Sequence, residues 1–247
     1  MRTKLFAVLL IVFANFSAWS AENADTLRVL VFSKTLMFRH ASITNGIVAL
    51  RKLGGESHFA VDATEDSKAF ISNNLARYRV IVLLSTSGDV FNDAQQDAFK
   101  QWIENGGGLV GIHAAIAGKV ATEGTWPWYT EICCTEFANH KAIERATVVV
   151  EDRVHVSTAH LPARWSRTDE WYNFTVTPRA KVNVLASLDE SSFHGGTMGG
   201  DHPVAWWRAV GKGRFWYTAL GHTEASYTEP EFLRHLLGGI QFVAKRN

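Results

Sequence analysis

The chain of 247 residues is 47% hydrophobic and 20% charged, which allows a sizeable core and excludes an intrinsically disordered protein. Its formal charge of +1 becomes −1 without Arg2 and Lys4, because 23 basic and 24 acidic residues then remain. This near-neutral balance excludes a surface built to bind the phosphate backbone of nucleic acid.

The first residues have the pattern of a secretory signal peptide. Arg2 and Lys4 precede an apolar run over residues 5–16, and small residues follow where a signal peptidase would cleave. The run is shorter than the roughly 20 residues that a membrane-spanning helix needs, although an uncleaved amino-terminal anchor remains the alternative. We therefore expect a signal peptide over residues 1–20, then a periplasmic or secreted single domain over 21–247, with no membrane span after cleavage.

The first half of the mature chain alternates apolar strands with helices. Strands are predicted over residues 27–33, 59–63, 80–84 and 109–112, and helices over 42–53, 70–78 and from 92 to the glycines at 106–108. Ser42 is the predicted N-cap of the first helix and Gly54-Gly55 its predicted end. This alternation predicts an α/β fold with a doubly wound, mainly parallel sheet and helices on both faces.

After His113 the pattern changes to added β segments. A loop leads to a short aromatic helix near Trp126, and a loop continues to His140. Strands are then predicted over residues 147–150, 169–174, 182–188, 204–210 and 214–220, and a last helix over 231–243. No repeat or linker interrupts the chain, so we expect one domain.

The only cysteines, Cys133 and Cys134, are neighbours in the sequence. They are compatible with a strained vicinal disulfide in an oxidising compartment or with two small buried thiols. Other motifs exclude familiar enzyme classes. There is no Gly-x-Ser-x-Gly elbow of a serine hydrolase, and the glycines at 106–111 end a helix instead of opening one, the reverse of a dinucleotide site.

Three histidines follow predicted strands whose carboxyl ends would share one edge of the sheet. Strand 27–33 leads to Arg39 and His40, strand 109–112 ends at His113, and strand 214–220 ends just before His222. Ligands of open α/β sheets bind at this edge. Imidazole suits both acid–base chemistry and zinc-type metal binding near neutral pH, but no His-x-x-x-His spacing favours a metal.

Several loop residues are expected to reach the same crevice. His140 and His202 are two of them, and Asp169-Glu170 would supply a carboxylate base or ligand. Neighbours in a strand point to opposite faces, so at most one of these two acids should face the site, and a solvated charge pair is the alternative. Of the nine tryptophans most should pack in the core, although aromatic rings in a cleft also suit stacking on sugar rings.

A series of short motifs, taken in order over residues 27–243, resembles the ThuA-like (trehalose utilisation) family. The motifs are Phe38-Arg-His40, Gly111-Ile-His113, Trp126-Pro-Trp-Tyr129, Phe137-Ala-Asn-His140, Asp169-Glu-Trp-Tyr172, His202-Pro-Val-Ala-Trp206 and Gly213 to His222. The resemblance implies a fold similar to class I glutamine amidotransferases. It also places His113 where those enzymes carry the nucleophilic cysteine, with His222-Thr-Glu224 as the partner motif. Without that thiolate, covalent amidotransfer is excluded.

The resemblance further implies an exported carbohydrate-processing protein whose partner is a small sugar or glycan. The expected activity is cleavage of glycosides, in particular 3-keto-glycosides, by acid–base or metal-assisted chemistry. The alternatives are a non-catalytic sugar-binding module and a glycan hydrolase or esterase without a serine nucleophile. The candidate catalytic residues are His113, His222, Glu170 and Asp169; the candidate substrate-binding residues are Arg39, His40, Trp126, Tyr172, His202 and Glu224; the candidate ligands of an optional divalent metal such as zinc are His40, His113, His140 and His222.

Overall fold

A computed structural model describes residues 27–116 and 126–245. The strands are β1 (Arg28–Phe32), β2 (Ala60–Thr64), β3 (Val80–Leu84), β4 (Gly108–Ile112), β5 (Phe137–His140), β6 (Glu144–Val150), β7 (Arg164–Asp169), β8 (Tyr172–Phe174), β9 (Asn183–Leu188), β10 (Pro203–Val210) and β11 (Gly213–Thr218). The helices are α1 (Ile43–Glu56), α2 (Ser72–Leu75), α3 (Asp93–Glu104), α4 (Pro127–Cys133) and α5 (Pro230–Ala244). The predicted signal peptide lies outside the described residues, and none of the helices within them is long and apolar enough to cross a membrane.

Nine strands form one mixed sheet in the order β2-β1-β3-β4-β11-β10-β9-β6-β7. The five strands from β2 to β11 are parallel. The remaining four pair antiparallel, and β5 and β8 make a separate two-stranded ribbon. The mainly parallel α/β sheet with added β segments is therefore confirmed.

Complete burial of the central parallel strands explains their apolar sequences. Every residue of β3 and β4 is buried, as expected for strands covered on both faces. Helix α5 covers one face with Phe232, Leu236 and Ile240, and each buried side chain of this kind contributes about 1.5–3 kcal/mol. Gly108 lets this helix approach closely, because a Cβ there would come within 2.5 Å of the Val243 carbonyl oxygen.

Helix α1 begins after the predicted N-cap, Ser42, but ends later than predicted. It continues through Gly54-Gly55 to Glu56, and Gly54 is needed because a Cβ would come within 2.7 Å of the Phe59 carbonyl oxygen. The predicted cap Ser42 does precede the helix, but its hydroxyl donates to the carbonyl of Gly221, 3.3 Å away, and makes no capping bond. Ser42 and Gly54, which the sequence suggested as the start and end signals of the helix, are therefore both used in contacts with other parts of the fold.

Other boundaries also differ from the sequence prediction. The predicted helix over 70–78 is only the single turn of α2, which buries its last residue, Leu75, while Phe70 is buried just before it. The predicted strand over 169–174 is divided, with β7 ending at Asp169 and β8 beginning at Tyr172. Strands β5 and β7 were not predicted. Cys133 and Cys134 are buried free thiols, and burial raises the pKa of the Cys133 thiol.

Candidate functional site

His40, His113 and His222 meet at the carboxyl edge of the sheet, after β1, β4 and β11 respectively. The centroid of the His40 ring lies 4.7 Å from that of His113 and 5.0 Å from that of His222. The rings of His113 and His222 are 5.1 Å apart. His113 is fully buried and His40 is 5% exposed, so this is an interior cluster.

His113 occupies a strained turn that fixes its ring. Its φ of 53° lies in the left-handed region, which is uncommon for a residue with a side chain and costs of order 1–3 kcal/mol. Its Nδ1 lies 2.7 Å from the carbonyl oxygen of Ala219. Because a carbonyl only accepts, Nδ1 carries the hydrogen, and Nε2 of the neutral ring keeps its lone pair.

Glu170 is the carboxylate at the centre of the cluster. Its Oε2 lies 3.3 Å from His113 Nε2 and 3.1 Å from His222 Nδ1, and its Oε1 lies 3.0 Å from His140 Nδ1. Burial alone would raise the pKa of this carboxyl, but the close approach of His113 and His222 outweighs burial and holds the pKa well below its usual range. Glu170 is therefore ionised.

These four residues form what we call the histidine centre: His40, His113, His222 and Glu170. One atom from each lies within 4.8 Å of the other three. Burial, with a smaller effect of the neighbouring His113 and His222, lowers the pKa of His40 to about 3 and keeps its ring neutral. His40 Nδ1 is buried without a hydrogen-bond partner among the described residues.

The donor atoms of the histidine centre fit a divalent cation. His113 Nε2 and Glu170 Oε2 are both acceptors, and His222 Nδ1 lies 3.1 Å from each of them, so one proton or one cation at this point would serve all three atoms. Three imidazole nitrogens and one carboxylate oxygen are a ligand set that Zn²⁺ uses. The hydrogen bond from His113 Nδ1 to a backbone carbonyl is also the usual way of orienting a metal-binding histidine.

Asp169 positions residues of the histidine centre through their backbone N–H groups. Its Oδ2 accepts from the N–H of Gly221 at 2.8 Å, and its Oδ1 accepts from the N–H groups of His222 and Glu170, both at 3.0 Å. The buried Arg167 forms an ion pair with this carboxylate, with its Nη2 3.2 Å from Oδ2. Glu170 is thus in the cluster while Asp169 positions two of its members. The expectation of one acid per face does not hold here, since the strand ends at Asp169.

Tyr172 and His140 also border the histidine centre. The Tyr172 ring packs at 4.3 Å from that of His113. His140 was a candidate metal ligand, but its Nδ1 faces the other oxygen of Glu170 and the carbonyl of Lys141. The fourth member of the histidine centre is therefore Glu170, in the place for which the sequence had suggested His140.

The remaining predicted site residues make their contacts elsewhere. Arg39 pairs with Glu65 at 2.6 Å on the surface, and Trp126 packs against Phe91 and Phe99. His202 is fully buried, and its ring nitrogens contact Glu190 Oε1 and the Tyr172 carbonyl, so it supports Tyr172 from behind. Glu224 is exposed, and the carboxylate that contacts His222 is that of Glu170.

Sequence reasoning missed Arg167 and Phe38. Arg167 lies in β7, where Trp165, Arg167 and Asp169 point inward in strict alternation with exposed residues. Two of these three inward residues are charged, so the sequence lacks the alternation of apolar and polar residues by which a strand is predicted. Phe38 is exposed beside His40, with the two ring centroids 4.9 Å apart, and only its position in the Phe-Arg-His motif marked it.

Comparisons with known proteins identify the family of this chain. A family model described as ThuA, trehalose utilisation, matches residues 28–243. A ThuA-like protein from Bacteroides uniformis is 27% identical with a TM-score of 0.75, over 91% of this chain and 95% of its own. One from Parabacteroides merdae is 21% identical with a TM-score of 0.73, over 89% and 90%. No curated protein is significantly similar in sequence. The match over nearly the whole described chain shows that the protein belongs to the ThuA family, described as trehalose utilisation.

Proposed function

We propose that this protein is an exported enzyme that cleaves 3-keto-glycosides at the histidine centre. The observation that carries the proposal is the convergence of His40, His113, His222 and Glu170 within 4.8 Å at the carboxyl edge of a parallel sheet. The family's description as trehalose utilisation supports a carbohydrate substrate. The predicted leader supports export.

The proposed reaction is an elimination next to the 3-keto group. The C2–H bond breaks and its electron pair forms a C1=C2 double bond, while the C1–O bond breaks and its pair stays on the leaving oxygen. The proton taken from C2 is returned to that oxygen. Addition of water to the double bond then yields the free 3-keto sugar. A divalent ion bound at the histidine centre would act as a Lewis acid toward the ketone oxygen.

We assign the removal of the C2 proton to His140, as the general base. Its Nδ1 lies 2.9 Å from the Lys141 carbonyl oxygen and 3.0 Å from Glu170 Oε1, two acceptors that fix the hydrogen on Nδ1. Nε2 therefore keeps the lone pair, and the side chain is 42% exposed, so that substrate has access to it. Orientation of an imidazole base by a carboxylate is a common catalytic arrangement. His113 and Glu170, the other candidate bases, direct their acceptor atoms at each other and are assigned to holding the centre.

The test is to incubate the purified protein with methyl 3-keto-glucoside and to follow methanol release by NMR, with and without a chelator. We expect release, its loss on metal removal, and its recovery when zinc is restored. His140→Gln should lower kcat by about 10²–10⁴-fold, the usual contribution of a general base, while retaining bound metal. His194→Gln is the matched control, because that side chain is 97% exposed and its ring contacts Glu144.

Four results would contradict the proposal. The first is no methanol release from the metal-loaded protein, and the second is unchanged release by His140→Gln. The third is saturable sugar binding without turnover, which would instead favour the sugar-binding module. Release from ordinary glucosides at the same rate as from the 3-keto forms would favour a hydrolase, because only the ketone acidifies C2–H.

A further inference from the structure

An exposed apolar turn borders the histidine centre. Leu36, Met37 and Phe38 follow β1 and are 60%, 48% and 68% exposed. Single exposed apolar residues are ordinary, but a contiguous group of large ones at a ligand-binding edge marks an interaction site.

The turn is held in place by the segment that follows β3. The Leu36 N–H donates to the Ser87 carbonyl at 2.8 Å, and the Ser87 hydroxyl donates to the Phe38 carbonyl at 3.4 Å. Gly88, at φ +84°, lies against Leu36, where a Cβ would come within 2.8 Å of the Leu36 Cβ. A side chain displayed on such a fixed turn loses little conformational entropy when a ligand binds.

The Phe38 ring stands next to the reacting position. Its centroid is 4.9 Å from that of His40, in an edge-to-face arrangement, and His40 is a member of the histidine centre. A ligand whose reacting ring is at the centre would therefore bring its adjoining group to Phe38. Arg39, the next residue, is turned away to Glu65, so the turn presents an aromatic face without a competing charge.

We propose that Phe38 is the stacking platform for the leaving pyranose ring of a disaccharide. A pyranose ring has an apolar C–H face that fits an exposed aromatic face, while its hydroxyl groups stay in water. This proposal rests on the proposed function for the position of the reacting ring at the histidine centre. It adds that the substrate is a disaccharide, whose second ring is selected by Phe38.

The test compares a ligand that has the second ring with one that lacks it. Affinities for trehalose and for methyl α-glucoside are measured by ligand-observed NMR titration. We expect Phe38→Ala to weaken trehalose binding by about tenfold, and to weaken methyl α-glucoside binding much less. Phe38→Tyr, which keeps the aromatic face, should retain wild-type affinity for trehalose. Val154→Ala is the matched control, because Val154 is an apolar side chain that is 89% exposed in the loop after β6.

The outcomes separate the platform from the reaction. Undetectable trehalose binding by the wild type, equal trehalose affinity of wild type and Phe38→Ala, or an equal loss for both sugars would overturn the platform. Cleavage of methyl 3-keto-glucoside is measured in parallel. Phe38-dependent trehalose binding without any cleavage would refute the reaction alone, and cleavage together with trehalose binding that does not depend on Phe38 would refute the platform alone.

Discussion

The strained backbone of His113 and the hydrogen bond from its Nδ1 to Ala219 have the same effect, which is to hold Nε2 toward Glu170. Contacts of the fully buried turn stabilise this left-handed conformation. The carbonyl oxygen of His113 accepts a hydrogen bond from the Tyr217 hydroxyl at 2.8 Å. A backbone outlier at the end of a central strand is characteristic of functional sites. The residue is therefore organised for its ring position and not for packing alone.

Asp169 offers a sharper test of this organisation than the ligands themselves. Asp169→Asn removes the charge that three backbone N–H groups share, and leaves Arg167 without its ionic partner there. We expect zinc affinity to fall by about 10–100-fold, the usual effect of losing a group that orients metal ligands. Competition with a chelating indicator measures this change. Asp97→Asn, an exposed acid of α3, should leave the affinity unchanged; an unchanged affinity for Asp169→Asn as well would contradict the positioning role.

Among the helices, α3 has the clearest local start signal. Asn92 and Gln95 form a capping box, in which each side chain accepts from the other residue's backbone N–H at 3.0 Å. The same pattern was visible in the sequence because capping depends on residues only three apart. In contrast, the Ser42 hydroxyl at the start of α1 is used by Gly221, 179 residues away.

The cap of α3 gives a prediction for stability that is independent of the site. Asn92→Ala should lower the free energy of unfolding by about 1 kcal/mol, because the N–H of Gln95 loses its acceptor. Urea unfolding followed by circular dichroism measures the change. Asn92→Ser keeps a capping oxygen and should recover most of the loss. Equal stability of the serine and alanine variants would show that the cap contributes nothing.

For the molecule as a whole, pH dependence should come in part from His235. This histidine is buried between α5 and the sheet, with Nδ1 donating to the Ser157 carbonyl at 2.8 Å. The pKa of His235 is lowered to about 3, chiefly by burial and to a smaller extent by the nearby His160, Arg167 and His155, while the bond to the Ser157 carbonyl acts in the opposite direction. The unfolded chain, with a histidine pKa of about 6.5, then binds the extra proton first as pH falls.

Stability should therefore decrease as pH falls from about 6.5 toward 3. Between pH 7 and pH 5 the His235 contribution amounts to about 2 kcal/mol of unfolding free energy. Urea unfolding of the wild type and His235→Asn at both pH values measures it. The wild type should lose about that much more than the variant, and equal losses would contradict the assignment. His235→Gln serves if the asparagine variant is too unstable to fold.

The sequence alone was sufficient for the parallel half of the fold and for the three histidines of the centre. Buried parallel strands are continuous apolar runs, and their carboxyl ends share one edge whatever the details of packing. His40, His113 and His222 could be grouped for that reason. The capping of α3 and the helical face of α5 are equally local patterns.

Contacts between distant segments determined the rest. Glu170 joins the centre because β7 ends one residue earlier, and β7 was hidden by inward-facing charges. Arg39, Trp126 and His202 had candidate roles from their positions along the chain, yet each makes its contacts away from the centre. Sequence periodicity reports which face of an element is buried, but the direction of a loop side chain depends on partners tens of residues away. That is why the strand-end histidines and the Asp169-Glu170 pair could be named from the sequence, while the selection of Glu170 as the carboxylate of the centre and the exposed Phe38 beside it emerged only with the folded chain.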